Sequence, residues 1–221
     1  MSIAVQESLL DFGDEAAPGT LRPGRVPLSH GAWIDVQRGF LTGSAPLFAR
    51  LAQTVPWRAE RRRMYDRTVE VPRLLCFYGE NDVLPDPALE ACRAALNAYY
   101  ADELGEPFVT AGLCFYRDGR DSVAWHGDRI GRGSTEDTMV AIVSLGEARP
   151  LLLRPSPGTA GKSERAGAGD KGGQALRYSL GHGDLIVMGG SCQRTWEHAV
   201  PKSARPTGPR ISVQFRPRDV R

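Results

Sequence analysis

Apolar residues recur at three- and four-residue steps in two stretches of the N-terminal half, which is the spacing of helices that bury one face. The first stretch follows Ser44 and continues to residue 55. The second follows Asp86, has Pro87 at its first position and stops at Gly105. Asp is a common helix cap, Pro is favoured at the first helical position and Gly is favoured just after the last. The pattern predicts two packing helices.

The pattern changes after residue 107 to short apolar runs that are separated by turn residues. Such runs predict strands, and their close spacing indicates a β-sandwich or a jelly roll. The predicted strands are 111–117, 122–126, 138–145, 151–154, 175–180, 184–188, 195–200 and 210–217. The expected fold class is therefore α+β and mainly β, with a jelly-roll core and two or more packing helices in the N-terminal half.

The length of 221 residues gives room for one domain with a sizeable core. We expect residues 44–221 to form this domain. Residues 1–43 mix Gly, Pro and charge and predict an irregular extension, in which 31–34 is apolar enough to add a peripheral strand. Residues 155–173 carry too few apolar side chains to pack, so we expect a flexible surface loop there.

The composition excludes wholesale disorder, because 41% of the residues are hydrophobic and 24% are charged, as in globular proteins. Apolar runs fall far short of the roughly 20 residues of a membrane-spanning helix. The acidic start of the chain lacks the basic region of a signal peptide, so we expect a cytoplasmic protein without a membrane partner. The four cysteines form no C-x-x-C pair, which favours buried free thiols over zinc or disulfides.

The formal net charge is only +2, yet three of the 28 basic residues are lysine and the others are arginine. Arginine suits contacts to carboxylates and phosphates, but a GC-rich coding sequence also favours it without functional demand. Residues 58–73 contain six arginines together with Met64 and Tyr65. A solvated face and a nucleic-acid contact both remain open for this segment.

His126 and Asp128 form an H-x-D pair, and strand alternation places them on one face if the strand continues through both. His198 lies on another predicted strand, which a jelly roll can bring beside the first. Two imidazoles and one carboxylate form the facial triad of non-haem Fe(II) oxygenases. The alternative is a purely structural role for these histidines, because H-x-D also arises by chance.

Alternation along the last predicted strand places Arg210, Ser212, Gln214 and Arg216 on one face. Buried arginines need anionic partners, so this face is expected to line a cavity that holds carboxylates. The dicarboxylate 2-oxoglutarate, a co-substrate of Fe(II) triads, meets that requirement. The alternative is an edge strand whose arginines face solvent.

The order of these residues is similar to that of the AlkB family of Fe(II)/2-oxoglutarate dioxygenases, with H-x-D followed by a distant His and then two arginines. Supporting motifs occur in the same order, and the resemblance covers residues 55–217. They are Val71-Pro72-Arg73, Tyr78-Gly79, Tyr116 to Gly119, Ser144 to Gly146 and Gly183 to Gly189. The resemblance implies a double-stranded β-helix, which is a jelly roll.

The resemblance also implies roles for residues. His126, Asp128 and His198 would ligate Fe(II), and Arg210 would bind the distal carboxylate of 2-oxoglutarate. The co-substrate pocket would be completed by Tyr116, Arg216, Ser212 and Cys114. Family members use O₂ to oxidise N-methyl groups of nucleobases, which converts 2-oxoglutarate to succinate and CO₂ and releases formaldehyde.

Nucleotide recognition is implied for residues 55–85, since the target base must be flipped out of its stack and held in a pocket. The candidate substrate-binding residues are Arg73, Tyr78, Gly79, Glu80 and Arg129. The expected partner is alkylated DNA or RNA in an accessible, single-stranded form. We expect the protein to act as a monomer.

Three positions depart from the family pattern. Cys114 replaces the Asn of an Asn-x-Tyr motif, and a thiol is a poor substitute for an amide donor, so weaker co-substrate binding is expected. Arg129 and Ile130 stand where many members carry an acidic contact to the base. Ser212 and Gln214 stand where Asn and Thr are common.

Three hypotheses follow. The leading one is oxidative dealkylation of N-alkylated bases in nucleic acid, as in repair of alkylation damage. The second keeps the same oxygenase chemistry on a small molecule or a protein side chain, motivated by Ile130 and the nearly neutral charge. The third is a non-enzymatic jelly-roll binding module, motivated by Cys114.

Overall fold

The computed structural model describes residues 15–64, 67–159 and 175–220. Its helices are α1 (Ser44–Thr54), α2 (Pro87–Leu104) and the short α3 (Cys192–Thr195). Both predicted helices are confirmed, and α2 has the predicted ends. The Asp86 carboxylate accepts a hydrogen bond from the Ala88 amide at 2.9 Å, and Gly105 ends the helix with a left-handed φ of 71°. The cap of α1 differs, because Gly43 rather than Ser44 occupies that position.

Strands make up most of the remaining structure. Over the described residues they are β1 (Ala17–Pro18), β2 (Gly24–Pro27), β3 (Ala32–Gln37), β4 (Leu41–Thr42), β5 (Arg58–Met64), β6 (Arg67–Tyr78), β7 (Thr110–Tyr116), β8 (Val123–His126), β9 (Val140–Gly146), β10 (Arg149–Pro155), β11 (Leu176–Leu180), β12 (Asp184–Gly190), β13 (Trp196–Val200) and β14 (Arg210–Arg216). The eight strands predicted after residue 107 are all present, with ends displaced by one or two residues.

The strands form a large and a small antiparallel sheet in addition to the pair β1–β4. The large sheet has the order β2-β3-β12-β9-β14-β7-β6-β5, and the small sheet has the order β11-β10-β13-β8. Neighbours in both sheets are frequently distant in sequence, as in a jelly roll. The structure therefore confirms the mainly β fold class, with the two packing helices α1 and α2 in the N-terminal half.

Two predictions for the N-terminal half need correction. The irregular extension expected over 1–43 is wrong for 24–37, because β3 pairs along its whole length with β12 inside the large sheet. Its Ile34 is fully buried there. The second concerns only the type of element: residues 58–64 and 67–73, for which a solvated face and a nucleic-acid contact stay open, form strands that pair with each other, and β6 pairs with β7 from Leu74 onward. Residues 1–14 and most of the expected loop 155–173 lie outside the described residues.

Two apolar cores separate the layers. One lies between the large sheet and helices α1 and α2, and it contains Leu47, Leu89 and Val213. The other lies between the two sheets, and it contains Ile186, Trp196 and Tyr116. Residues that face the second core can meet across the two sheets, so this layer can position a site. Among the described residues, no helix is long and apolar enough to cross a membrane.

Candidate active site

Three potential metal ligands meet at the edge of the small sheet. His126 is the last residue of β8, and His198 lies directly opposite it on β13, with ring centroids 4.2 Å apart. Asp128 follows two residues after His126. Each of the three residues offers one ligand atom, and these atoms lie within 4.8 Å of one another. The structure thus brings together the predicted set of two imidazoles and one carboxylate.

The protonation states of His198 and Asp128 suit a divalent metal. Burial lowers the pKa of His198 to about 3, and the neighbouring His126 adds to this effect. Burial alone would raise the pKa of Asp128, but Arg216 and the two histidines outweigh it and hold that pKa below its usual value. Neutral imidazoles and an ionised carboxylate are the forms that bind metal ions.

Hydrogen bonds to neighbouring residues fix the orientation of the metal ligands His126 and Asp128. His126 Nδ1 lies 2.8 Å from the carbonyl oxygen of Ala124. Because a carbonyl oxygen only accepts, Nδ1 carries the proton and the lone pair of Nε2 is left for a metal. Arg216 donates to Asp128 Oδ2 through Nε at 2.9 Å, and its Nη2 lies 2.9 Å from the same oxygen. The donor set fits the facial triad of an Fe(II) oxygenase.

A buried arginine lies on β14 on the face toward the second core. The Nε of Arg210 donates to Ser144 Oγ at 2.8 Å, whereas its Nη1 is buried without a hydrogen-bond partner among the described residues. Burial lowers the pKa of Arg210 below its ordinary value. A buried cation with an unused donor requires an anion, so the structure fits a carboxylate ligand at this position.

Tyr116 lies opposite Arg210 on β7, and the guanidinium carbon of Arg210 is 5.4 Å from the centre of the phenol ring. Burial raises the pKa of Tyr116 to about 12, so the hydroxyl stays neutral and can donate. Arg210, Tyr116 and Ser212 therefore present donors to one small region between the sheets. Such a region suits the carboxylate of a co-substrate.

Cys114 and Ser212 lie opposite each other on β7 and β14. Both contact the side chain of Gln214, which is 8% exposed. Gln214 was not among the candidate site residues, although the same alternation that selected Arg210 and Ser212 places it on their face. Its contacts link the cysteine to the serine.

The predicted substrate-binding residues are not all brought to this face. Arg73 does lie on this face, and its Nη1 donates to the Ser122 carbonyl at 3.3 Å. Burial acts to lower the pKa of Arg73, but Cys114 and Tyr116 together with other groups outweigh it, so that the pKa is raised. Tyr78 does not lie on this face, because it packs against the helix-side core on the opposite face of the large sheet.

The remaining three candidates have other contacts. The Gly79 amide donates to Asp82 within a turn, and Glu80 pairs with Arg218 outside the sheets. Arg129 folds back over Gly127 and donates to Ser156 Oγ. Gly79 and Glu80 therefore contact residues outside the triad, whereas Arg129 directly follows Asp128 and lies over Gly127, between two of the triad residues.

Phe77 is an aromatic residue that sequence analysis missed. Strand alternation places Arg73, Leu75 and Phe77 on the same face of β6, and Phe77 lies opposite Gly112 on β7. A side chain at Gly112 would come within 3.0 Å of Arg216 Nη1, the residue that holds Asp128. Phe77 is 51% exposed, so it lies at the open end of the site. Counting in twos from Arg73 would have found it.

The jelly roll and its two-histidine, one-carboxylate cluster define the class of Fe(II)-dependent oxygenases. The chain matches the 2OG-Fe(II) oxygenase superfamily over residues 41–216, and it belongs to this superfamily. Membership implies Fe(II), 2-oxoglutarate and O₂, and the triad and the unpaired donor of Arg210 fit that set.

Relatives within the superfamily confirm the resemblance to AlkB. Alpha-ketoglutarate-dependent dioxygenase alkB homolog 3 of Rattus norvegicus is 29% identical over 204 residues, which cover 89% of this chain and 62% of that protein. The DNA oxidative demethylase ALKBH2 of Arabidopsis thaliana is 29% identical over 224 residues, covering 86% of this chain and 68% of that protein. The chain thus spans less than two thirds of the length of the alkB homolog 3 relative.

Solved structures share the fold. The structure of OsALKBH1 superposes with a TM-score of 0.55 at 15% identity, covering 90% of this chain and 99% of that one. A Pseudomonas putida prolyl-4-hydroxylase superposes with a TM-score of 0.52 at 16% identity, covering 86% and 94%. At such low identity these structures support the architecture and say nothing about the substrate.

Proposed function

We propose that this oxygenase removes alkyl groups from the nitrogen atoms of bases in nucleic acid. The observation that carries the proposal is the triad of His126, Asp128 and His198, together with an Arg210 donor that lacks a partner among the described residues, in a chain homologous to AlkB proteins. One of these relatives is named as a DNA oxidative demethylase. DNA or RNA with an accessible, single-stranded alkylated base is the proposed substrate, and the monomer is the proposed active form.

The residues of the chain have separate tasks in this reaction. His126, Asp128 and His198 would hold Fe(II), which with 2-oxoglutarate and O₂ supplies the oxidising power to hydroxylate an N-methyl carbon. The overall balance is one methylated base, 2-oxoglutarate and O₂ converted to the free base, formaldehyde, succinate and CO₂. Arg210 and Ser212 would bind the distal carboxylate of the co-substrate. Arg216 keeps Asp128 ionised and oriented.

The open end of the site provides contacts for a base. Phe77 offers a half-exposed aromatic face there, and stacking on an aromatic ring accepts every base because each base has a π face. The arginine-rich strand β5 and Arg73 lie in the same part of the large sheet. Arg58 at the start of β5 is exposed, and an exposed cation can contact phosphates, so the segment that composition left open acquires a role in the proposal.

A small-molecule or protein substrate is the second candidate. Ile130 is 69% exposed two residues after Asp128, and the net charge is only +2. The protein would therefore also accommodate a substrate other than nucleic acid, which makes apolar contacts with Ile130. The third hypothesis, a non-enzymatic binding module, is not favoured, because the triad is complete.

The test uses the full chain with Fe(II), 2-oxoglutarate, ascorbate and a single-stranded oligonucleotide that carries one 1-methyladenine or 3-methylcytosine. Mass spectrometry follows the oligonucleotide. We expect the wild type to remove the methyl group and His126→Ala to leave it in place. Succinate formation without demethylation would reject nucleic acid as the substrate and favour the second candidate.

The stacking role of Phe77 has its own test. Phe77→Ala should raise the KM for the methylated oligonucleotide about tenfold, since one stacked base contributes about 1–3 kcal/mol. Succinate production uncoupled from substrate should stay unchanged, because the proposed partner of Phe77 is the base and not the co-substrate. Tyr99→Ala is the control, since Tyr99 is also aromatic and is 48% exposed, but lies on α2 in the helix layer. An unchanged KM in Phe77→Ala would reject the stacking role.

A further inference from the structure

We infer that Gln214 is a positioning residue for the co-substrate: by donating to Ser212 Oγ, it makes the Ser212 hydroxyl offer its proton to the carboxylate that Arg210 binds. This inference rests on the proposed use of 2-oxoglutarate. Gln214 and Ser212 would then together supply a donor in place of the Asn amide that Cys114 replaces in the family motif.

The orientation of the Gln214 amide is fixed by its neighbours. Its Nε2 lies 3.1 Å from the backbone carbonyl oxygen of Ser212. A carbonyl oxygen only accepts, so the nitrogen and not the oxygen of the amide must face it. The amide oxygen then faces Cys114, whose thiol donates to it at 3.6 Å. The Ser212 carbonyl therefore fixes the orientation, and the contact with Cys114 is compatible with it because a thiol can donate to the amide oxygen.

The second proton of Gln214 Nε2 goes to Ser212 Oγ. A hydroxyl that accepts in this way keeps its own proton for another partner. Among the described hydrogen bonds, Ser212 Oγ takes part only as this acceptor. Ser144 differs, because its hydroxyl donates to the Leu180 carbonyl at 3.3 Å while it accepts from Arg210. Of the two serines, Ser212 is therefore the one with a proton to give.

Gly112 makes this arrangement sterically feasible. It lies opposite Gln214 in the pairing of β7 with β14. A Cβ at Gly112 would lie 3.2 Å from the amide oxygen of Gln214 and 3.0 Å from Arg216 Nη1. The side-chain amide of Gln214 thus occupies space that a side chain at position 112 would reduce. The result is a chain of hydrogen bonds from the partly buried Cys114 through Gln214 to the buried Ser212.

The consequence is a two-donor carboxylate site. Arg210 and Ser212 are two residues apart on one face of β14, and both are 2% exposed. The buried Nη1 of Arg210 has no hydrogen-bond partner in the part of the chain that the structure describes, and Ser212 has a proton directed by Gln214. A carboxylate has two oxygens, so it can accept from both donors.

The test measures binding without turnover. Isothermal titration calorimetry determines the Kd of 2-oxoglutarate for the full chain loaded with Mn(II) in place of Fe(II). We expect Gln214→Met and Ser212→Ala each to weaken binding about tenfold, the loss of one hydrogen bond to a charged group. The double variant should bind as weakly as the single variants and no weaker, because both substitutions remove the same donor.

Oxalate separates positioning from general damage to the site. It can chelate the metal but has no distal carboxylate, so its Kd should be unchanged by Gln214→Met. Gln37→Met is the matched control, because both the oxygen and the nitrogen of the Gln37 amide form hydrogen bonds. Gln37 lies on β3, which two strands separate from β14 in the large sheet. If Gln214→Met does not fold, Gln214→Glu keeps the shape and can only accept, and it should weaken 2-oxoglutarate at least as much.

Two results would overturn the inference alone: Gln214 variants that bind 2-oxoglutarate like the wild type, or an equal loss of oxalate and 2-oxoglutarate. A wild-type protein that binds Mn(II) but no 2-oxoglutarate would overturn the proposed function as well. The failure of the inference and the failure of the proposed function are thus distinguishable in one set of titrations.

Discussion

Asp128 interacts with the two histidines of the triad and with Arg216, and both kinds of interaction depend on the charge of its carboxylate. It lies beside two imidazoles on one side and the guanidinium of Arg216 on the other, and only 5% of it is exposed. Removing one member of a buried ion pair leaves the other charge uncompensated in a poorly solvated place. The same carboxylate therefore contributes to metal binding and to stability of the metal-free protein.

Asp128→Ala should abolish metal binding and lower the free energy of unfolding of the metal-free protein by about 3 kcal/mol, because Arg216 loses its partner. Urea unfolding in the presence of a chelator measures this. His126→Ala is the control: it should lose the metal as well, but cost less than about 1 kcal/mol of stability, since its ring is not fully buried. Equal stability of the two variants would contradict the prediction.

At the scale of elements, α2 is held by contacts at its first turn. The Asp86 carboxylate caps the helix and also accepts from Arg50 of α1 at 2.8 Å. Cys92 lies one turn further on and is completely buried. These residues connect the helix layer to the sheet that carries β14, so changes in α2 affect stability without touching the site.

Asp86→Ala should lower the free energy of unfolding by about 1–2 kcal/mol, through loss of the cap and of the partly exposed pair with Arg50. Denaturant unfolding measures the change. Asp102→Ala, an exposed substitution in the same helix, should stay within about 0.5 kcal/mol of the wild type. A cap variant as stable as Asp102→Ala would argue against the role of Asp86.

Alkaline pH should also destabilise this helix. Burial, together with the nearby Asp86, raises the pKa of Cys92 from 9.0 to about 12. Above pH 9 the unfolded thiol loses a proton that the folded thiol keeps, so stability is complete below pH 9 and falls as the pH rises toward 12.

The slope contributed by Cys92 is at most about 1.4 kcal/mol per pH unit. Unfolding free energies at about pH 8 and about pH 10.5 should therefore differ less in Cys92→Ala than in the wild type. Cys76→Ala serves as the comparison, because Cys76 is only partly buried. A pH dependence that is the same in Cys92→Ala and in the wild type would refute this contribution.

At the scale of the whole molecule, the site joins the two sheets. His126 and His198 belong to the small sheet, whereas Arg210 and Ser212 belong to the large one. A metal with its co-substrate would therefore contact both layers at once. Ligands that bind only the folded state stabilise it by mass action.

Adding Mn(II) and 2-oxoglutarate together should raise the thermal unfolding midpoint more than Mn(II) alone. With free 2-oxoglutarate at about 100 times its Kd, the added stabilisation is about 2.7 kcal/mol. Calorimetry measures the midpoint, and a chelator should reverse the whole shift. Arg210→Leu should keep the response to Mn(II) and lose the response to 2-oxoglutarate. If Arg210→Leu is still stabilised by 2-oxoglutarate, Arg210 does not bind the distal carboxylate of the co-substrate.

The sequence by itself determined features that depend on near neighbours in the chain. The cap at Asp86, the stop at Gly105 and the eight strands after residue 107 follow from local spacing, because each element buries one face of its own period. The order of H-x-D, His198 and the two arginines also stands in the sequence, and alternation placed Arg210 and Arg216 on one face.

Only the tertiary structure decided which residues meet. Alternation gives β6 two faces, but the packing of the second sheet decides that Phe77 and not Tyr78 lies on the side of the site. The pair of Asp128 with Arg216 joins residues 88 positions apart, and the position of β3 inside the sheet depends on β12, which closes the layer 150 residues later. Local periodicity is written along the chain, whereas such contacts arise only when the sheets have packed.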